Sequence, residues 1–352
     1  MQRRAIYVDH THCGRHVTGI ERITLELFSR EALAPLSVTP VTAASRAAMM
    51  AAQTFGLPWR AARDRTALFL TPGFPPSPAL TLFGARVLPY IHDLFLITRP
   101  QDLNARAKAY MARPFRFAVR RLPRFLVNSE HTSRELARFC RADAEITLYR
   151  PQVRDVFGLA APRGPAAQEQ VPQEKGALRL IALGTVEPRK NLRAAAAVLA
   201  ALRAGAFPRA TLDICGREGW GGDAAALARA PGVTLHGYQP AARIRELTAA
   251  ADAFITTAHD EGLGLPLLEA QYAGLPVIAP DRPVFREVLA RSGVLIDAAD
   301  PAAAAARITA DVSAADWRAR AAALAAENLA RWNGAAARDH GAVIALLTRL
   351  AG

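Results

Sequence analysis

His-Asp-Glu-Gly-Leu-Gly-Leu-Pro-Leu-Leu-Glu-Ala, residues 259–270, follows an apolar run at Ala253–Thr257 and leads into helix-forming sequence. It reads as a strand, a glycine-rich loop and a helix, the repeating unit of a parallel sheet. Glu261 sits in the loop and Glu269 one to two turns into the helix. Pro266 suits the first helical position, where its missing N–H is no loss. Gly262 and Gly264 let the backbone turn tightly and come close to a ligand. A helix N-terminus behind such a loop is an anion site, with phosphate the usual occupant. Carboxylates accept hydrogen bonds in pairs, which fits the vicinal hydroxyls of a sugar or ribose. The stretch therefore points to a nucleotide-sugar site.

Working outward, the second half alternates strands with helix-period segments. Its strand candidates are 178–183, 211–215, 233–236, 253–257, 276–279 and 294–296, with long helices expected at 317–330 and 335–350. The first half repeats the pattern, with strands at 5–9, 36–41, 67–70, 87–91, 125–128 and 146–148. Thr18-Gly-Ile-Glu21 has a capping-box pattern, which opens a helix running to about Ala32. Ser129 can cap a helix over 130–139. Residues 158–177 have no period and many breakers, and read as a linker. The expected fold class is α/β, with two Rossmann-like domains whose parallel sheets face across a ligand cleft. The N-terminal domain would span 1–157 and the C-terminal nucleotide-sugar domain 178–335. Residues 336–352 would be a helix returning to the N-terminal domain.

At 352 residues with half of them apolar, the chain can build two cores. No apolar run approaches the roughly 20 residues of a membrane span. The start runs straight into a strand, so no signal peptide is expected. Three scattered cysteines suggest a reducing compartment and no metal framework. The net charge of +13 is uneven: residues 1–158 hold 23 cations against 12 acids, and residues 159–352 hold 21 against 19. No acid occurs between Leu103 and Ser129, where Arg106, Lys108, Arg113, Arg116, Arg120, Arg121 and Arg124 are interleaved with apolar residues. The stretch 104–124 reads as a basic amphipathic helix, kinked at Pro114. It fits either an anionic membrane surface or a solvated face in a chain with 41 Arg and three Lys. No nucleic-acid-binding motif accompanies the charge, so no nucleic-acid partner is expected.

A second cluster, Leu183-Gly-Thr-Val-Glu-Pro-Arg-Lys-Asn191, joins the first strand and first helix of the second domain. That is the ligand edge of an α/β sheet. Arg189 as a fork and Lys190 as a point charge suit a diphosphate, and Asn191 can cap the helix. The alternative is a solvated loop charge.

These motifs resemble the retaining glycosyltransferases of family 4, which have the GT-B fold. The resemblance rests on residues 184–191, Leu-Asp-Ile-Cys-Gly at 212–216, Val-Thr-Leu-His-Gly-Tyr at 233–238, residues 261–270 and Ala-Gly-Leu-Pro-Val-Ile-Ala at 273–279. In the first half it rests more weakly on Thr-Gly-Ile-Glu-Arg at 18–22, Ile-His-Asp-Leu at 91–94 and Val-Asn-Ser-Glu at 127–130. The resemblance implies that Glu261 holds donor-sugar hydroxyls and Glu269 the ribose diol. It implies that backbone N–H groups around Gly264 and Leu265 meet the distal phosphate, while Arg189 and Lys190 neutralise the leaving diphosphate. Gly184 and Gly262 belong to the same loops, and Gly237 and Tyr238 would lie beside the base. Gly19 would let the N-terminal domain approach donor phosphate or acceptor, and His92 would face the sugar. Two departures stand out. Thr185 occupies the place where many members carry an arginine, and a glycine common near the linker is missing from 149–153.

No Asp-x-Asp occurs, so no divalent-cation clamp and no cofactor is suggested. Preorganised cations and N–H groups can stabilise a leaving diphosphate without a metal. His10, His12 and His16 lack companions for a metal site and read as cleft-loop groups. The expected protein is a cytoplasmic hexosyltransferase, peripheral on the inner membrane face, using a GDP- or UDP-hexose and a glycan or lipid-linked acceptor. The Glu-Pro-Arg-Lys-Asn variant resembles mannosyltransferases of bacterial surface polysaccharides, hence mannose from GDP-mannose. Its rivals are a nucleotide-sugar epimerase or hydrolase of the same fold, and a non-catalytic basic nucleotide-sugar-binding protein.

Overall fold

The computed structural model describes residues 4–14, 19–103, 108–154 and 175–352. Thr18, His16, residues 104–107 and most of the expected linker, 158–174, lie outside the described residues.

The first sheet contains β1 (Ile6–Asp9), β2 (Val38–Val41), β3 (Leu68–Thr71), β4 (Val87–Ile91), β5 (Arg124–Val127) and β6 (Glu145–Leu148). They are all parallel, in the order β2-β1-β3-β4-β5-β6. Its central strands β3 and β4 are buried at every position. Strands covered by helices on both faces need such continuous apolar sequence. The second sheet contains β7 (Arg179–Leu183), β8 (Thr211–Cys215), β9 (Val233–Gly237), β10 (Ala253–Ile255), β11 (Val277–Pro280) and β12 (Gly293–Ile296). Its order is β12-β11-β10-β7-β8-β9, again all parallel. The strand order reverses beside β7, whose neighbours are β10 and β8. Ligands of open α/β sheets bind at such a reversal, outside the strands' carboxyl ends.

Residues up to Gln152 together with Gly334–Gly352 form one compact unit, and Val153–Asn333 form another. In the first, Phe69, Phe115, Val119, Phe125 and Leu136 are among the residues that build the core beneath the sheet. In the second, Leu180, Leu199, Leu212 and Ile308 share one apolar cluster with Trp317.

The helices that matter for function are α1 (Gly19–Phe28), α2 (Arg113–Arg121), α3 (Glu130–Ala137), α4 (Leu192–Ala204), α5 (Leu265–Tyr272) and α6 (Trp317–Ala351). Several differ from the sequence expectation. Helix α1 ends at Phe28 rather than near Ala32. There the Ser29 hydroxyl takes Ala32 N–H at 3.1 Å and its carbonyl takes Leu33 N–H at 3.1 Å. A serine that bonds the backbone in this way favours a turn over another helical turn. Ser129 caps α3 as expected, accepting Thr132 N–H at 3.0 Å, but α3 stops at Ala137. In the basic segment a π-helical turn, Lys108–Ala112, precedes α2. Pro114 is the second residue of α2, directly after that turn, so helical backbone runs through the proline and the irregularity lies in the turn before it. The two terminal helices are one continuous helix of 35 residues. The break expected between 330 and 335, which contains Asn333-Gly334, is overridden by packing: Trp332 is buried, and Asn333 bonds both N–H and carbonyl of Val153. From Gly334 onward α6 belongs to the first unit. Asp339 meets Arg150 at 2.8 Å, His340 meets the Tyr149 hydroxyl at 3.2 Å, and Arg349 meets Glu145 at 3.0 Å.

Candidate functional site

The site of the second unit is built from the loops that leave β7, β8, β9 and β10 at one sheet edge. The loop after β7 starts at Gly184, whose N–H bonds Cys215 carbonyl at 2.9 Å. It closes through a 3₁₀ turn, Pro188–Lys190, into α4. Gly216, after β8, is pressed against it: a Cβ there would fall 1.8 Å from the Gly184 oxygen. Only glycine admits that approach. Asn191 heads α4 with φ 49°, and its side chain makes no cap bond, contrary to the sequence expectation. Its carbonyl does the work instead, accepting the Thr257 hydroxyl at 2.7 Å. His259 N–H bonds the Arg189 carbonyl at 3.0 Å. The loops after β7 and β10 are thereby stitched into one wall.

Glu261 lies on that wall, clamped by both cations of the other loop. Arg189 Nη1 donates to its Oε2 at 2.9 Å, and Lys190 Nζ donates to its Oε1. Glu187, 6% exposed, holds the far side of the same guanidinium, at 2.9 Å from Nε and 2.7 Å from Nη2. Burial by itself would raise the Glu261 pKa, but Lys190 and Arg189 outweigh it and hold the carboxyl below its ordinary value. Two cations thus face two carboxylates. An incoming diphosphate must compete with Glu261 for Arg189 and Lys190. Glu187 is a site residue that sequence reasoning passed over, although it lies inside the quoted motif. What went unread was that its carboxylate orients Arg189.

The glycine loop continues with buried Gly262 and with Gly264, the N-cap of α5. Gly264 has φ 76°, and a Cβ there would meet Leu267 Cδ1 at 2.9 Å, so two independent constraints select glycine. Leu265 takes the first helical position and Pro266 the second, one place later than expected. The opening turn of a helix presents N–H groups without intrahelical partners, which is where an anion binds. Glu269 is 5% exposed within α5. Across the edge, Gly237 ends β9 with its carbonyl accepting Gly216 N–H at 2.9 Å. Tyr238 beyond it is 69% exposed, with the Arg217 guanidinium 6.0 Å from its ring. Arg217 was missed in the sequence. It leaves β8 at the same edge, which is the signal that could have found it. His236 is a local partner of Asp213 at 2.6 Å.

In the first unit, Gly19 opens α1 on an exposed surface. His92 stands at the carboxyl end of β4. Its Nε2 donates to the Pro72 carbonyl at 2.6 Å, and its own carbonyl accepts Asn128 Nδ2 at 2.7 Å. The ring keeps some solvent contact but is densely surrounded. Burial lowers its pKa to about 4, against the opposing Pro72 bond. His92 is therefore neutral near pH 7, with Nδ1 as the acceptor it can offer. His10 and His12, read from the sequence as cleft-loop groups, follow β1 and both make contacts to α1. His10 is buried with Nε2 at 3.2 Å from the Phe28 carbonyl, and His12 meets the Thr24 hydroxyl at 3.0 Å. Both therefore secure β1 to α1. Among the described residues no group of three His, Cys, Asp or Glu is placed to hold a metal. No helix among them is long and apolar enough to cross a membrane.

Residues 165–324 match the family model described as glycosyl transferases group 1. Over 243 residues the chain is 27% identical to O-antigen chain mannosyltransferase B of Escherichia coli. That alignment covers 66% of this chain and 63% of the relative, so the chain spans less than two thirds of that protein's length. Among solved structures, sucrose-phosphate synthase from Thermosynechococcus elongatus superposes with a TM-score of 0.72 at 16% identity, covering 98% of this chain and 99% of that one. WaaG, a glycosyltransferase involved in lipopolysaccharide biosynthesis, gives 0.67 at 15% identity over 98% and 99%. Anabaena HepE in complex with UDP and glucose gives 0.65 at 15% identity over 97% and 100%. At these identities the likeness shows the fold, which is GT-B.

Proposed function

We propose that this chain, whose residues 165–324 carry a glycosyl transferases group 1 domain, is a glycosyltransferase of surface polysaccharide synthesis. In this reading it moves a hexose from a nucleotide diphosphate to a glycan or lipid-linked glycan. The observation that carries the reading is the Arg189–Lys190–Glu261 clamp beside the helix N-terminus of α5. It sets two cations and a hydroxyl-binding carboxylate where a sugar diphosphate presents the complementary groups.

We assign Arg189, Lys190 and the first-turn N–H groups of α5 to the diphosphate, Glu261 to the sugar hydroxyls and Glu269 to the ribose diol. Tyr238 and Arg217 go beside the base. The anomeric carbon–oxygen bond breaks, its electron pair going to the phosphate oxygen. The cations that Glu261 holds in the free protein then stabilise that charge. The acceptor hydroxyl attacks from the same face with retention, and the leaving phosphate takes its proton. No metal takes part. Glu261 positions the sugar and is not a covalent nucleophile. His92, as a neutral acceptor, and Gly19 belong to the first unit's share of the reaction. Mannose from GDP-mannose is the donor we favour, in line with the E. coli relative's name. UDP-glucose is the alternative, in line with the Anabaena structure. A cytoplasmic position, peripheral on an anionic membrane face, completes the reading.

The test is a thermal-shift panel with GDP, UDP, ADP and dTDP in excess chelator. A ligand at about 100 times its Kd stabilises by roughly 2.7 kcal/mol, which is readily seen. A shift with one nucleotide identifies the donor base and supports metal independence. No shift with any of them, with or without magnesium or manganese, would defeat the reading.

A further inference from the structure

A groove of about 900 Å³ opens on the first unit between α2 and the segments that lead into β4, β5 and β6. Gly84 and Ala85 precede β4, Pro123 precedes β5 and Arg141 precedes β6. The groove therefore lies at the amino ends of these strands. His92 stands at the opposite, carboxyl end of β4, so this groove is not part of the sheet's ligand edge.

Its lining joins charge to exposed apolar surface. Arg113, Arg116, Arg120 and Arg121 project from α2, and none of the four forms an ion pair among the described residues. Arg141, from the turn before β6, is held at 2.8 Å by Asp143. The opposite face of α2, through Phe115, Ala118 and Val119, is buried in the core. A merely solvated outer face would then need only polar residues. Instead Phe117 lies 37% exposed among the arginines, with the Arg121 guanidinium 5.8 Å from its ring, and Leu82 on the other rim is 62% exposed.

We propose that this groove is the seat of an anionic phospholipid surface. The arginines take headgroup phosphates, and Phe117 and Leu82 enter the headgroup–acyl boundary. Guanidinium forks match phosphate oxygens, and an anionic leaflet offers phosphate and apolar depth together. A nucleic acid would find the phosphate contacts but has no use for the exposed Leu82 on the rim, which an acyl boundary accepts. The inference deepens the membrane part of the reading above and does not depend on the transfer reaction.

The experiment is flotation of the full chain with vesicles of phosphatidylcholine, alone or mixed with phosphatidylglycerol, across a salt series. Binding is expected only to the anionic vesicles and should weaken with salt. Arg116→Glu, Arg120→Glu and Arg121→Glu together should weaken it on the order of a hundredfold, since each cation near such a surface is worth about a factor of five. A control with the same charge change on the second unit, Arg193→Glu, Arg229→Glu and Arg291→Glu, should stay within about twofold of wild type. Leu82→Ser with Phe117→Ser should weaken the binding that persists at high salt by at least about fivefold. The triple Arg→Gln variant keeps the test open should the reversal unfold the first unit. Equal losses in the groove and control triples would overturn the site. Wild-type binding by the serine variant would overturn the lipid assignment, leaving a face for any polyanion. Absence of wild-type binding to anionic vesicles would overturn both. The nucleotide-induced thermal shift, followed in every variant, reports the donor site separately, so failure there is not confused with failure of docking.

Discussion

Replacing Glu261 by glutamine should move nucleotide binding and turnover in opposite directions. In the free protein the carboxylate occupies Arg189 and Lys190, the two cations assigned to the diphosphate. Two unit charges about 4 Å apart attract by about 4 kcal/mol at an effective dielectric near 20. The side chains here are 24% exposed for Arg189, 16% for Lys190 and 12% for Glu261, so screening by water reduces that figure. Glutamine also retains a hydrogen bond to one of the cations. About 1–2 kcal/mol should remain as released competition, which is roughly a five- to thirtyfold lower Kd for the nucleoside diphosphate. Turnover should fall by about a hundredfold or more, because the amide cannot hold and polarise sugar hydroxyls as the carboxylate does. Calorimetric titration with GDP and UDP in chelator gives the first number, and initial rates of sugar transfer give the second. A Gln variant that folds normally but binds diphosphate no tighter than wild type would refute the argument that Glu261 competes for the cations.

Lys190→Ala should cut turnover by on the order of a hundredfold or more and should also weaken diphosphate binding; near-normal rates in transfer assays would remove it from the leaving-group site. Stability should fall on acidification for a reason traceable to His92. Its folded pKa of about 4 lies below the unfolded value of 6.5, so the unfolded chain takes up the proton first. The loss accumulates as pH drops from 6.5 toward 4, and denaturant titrations of His92→Gln should show a flatter profile across that window. A profile parallel to wild type would mean that the ring is not buried neutral.

Much of the architecture was legible because apolar runs of three to six residues recur between helix-period segments, and each of the twelve expected runs overlaps a strand. Gly184 after Leu183 and the glycine-rich loop at 259–264 marked the sheet edge on which Arg189, Lys190 and Glu261 meet. The misses are places where tertiary contacts decide. Asn-Gly at 333–334 signals a helix end to any local rule, yet buried Trp332 and the Asn333–Val153 bonds carry α6 through it. Asn191 looked like a side-chain cap, but its left-handed backbone turns the carbonyl toward Thr257 instead. Glu187 acts on Arg189, two residues on in the same loop, but spacing alone does not show that its carboxylate orients the guanidinium; Arg217 pairs with Tyr238 on a neighbouring loop, and only its place just after β8 points to it.

The shared ownership of α6 has a consequence for how the polypeptide is made. The first unit is discontinuous: residues through Gln152 precede the whole second unit, and its last segment begins at Gly334. Vectorial synthesis at about 5–20 residues per second leaves the leading segment waiting roughly 10–40 s for its closing helix. During that interval Arg150 lacks Asp339, Tyr149 lacks His340, and the places later filled by Val343, Leu346 and Leu347 stay open. The second unit, contiguous in sequence, has all its strands before that helix is complete. It should become protease-resistant before the first unit does, although most of the first unit is made ahead of it.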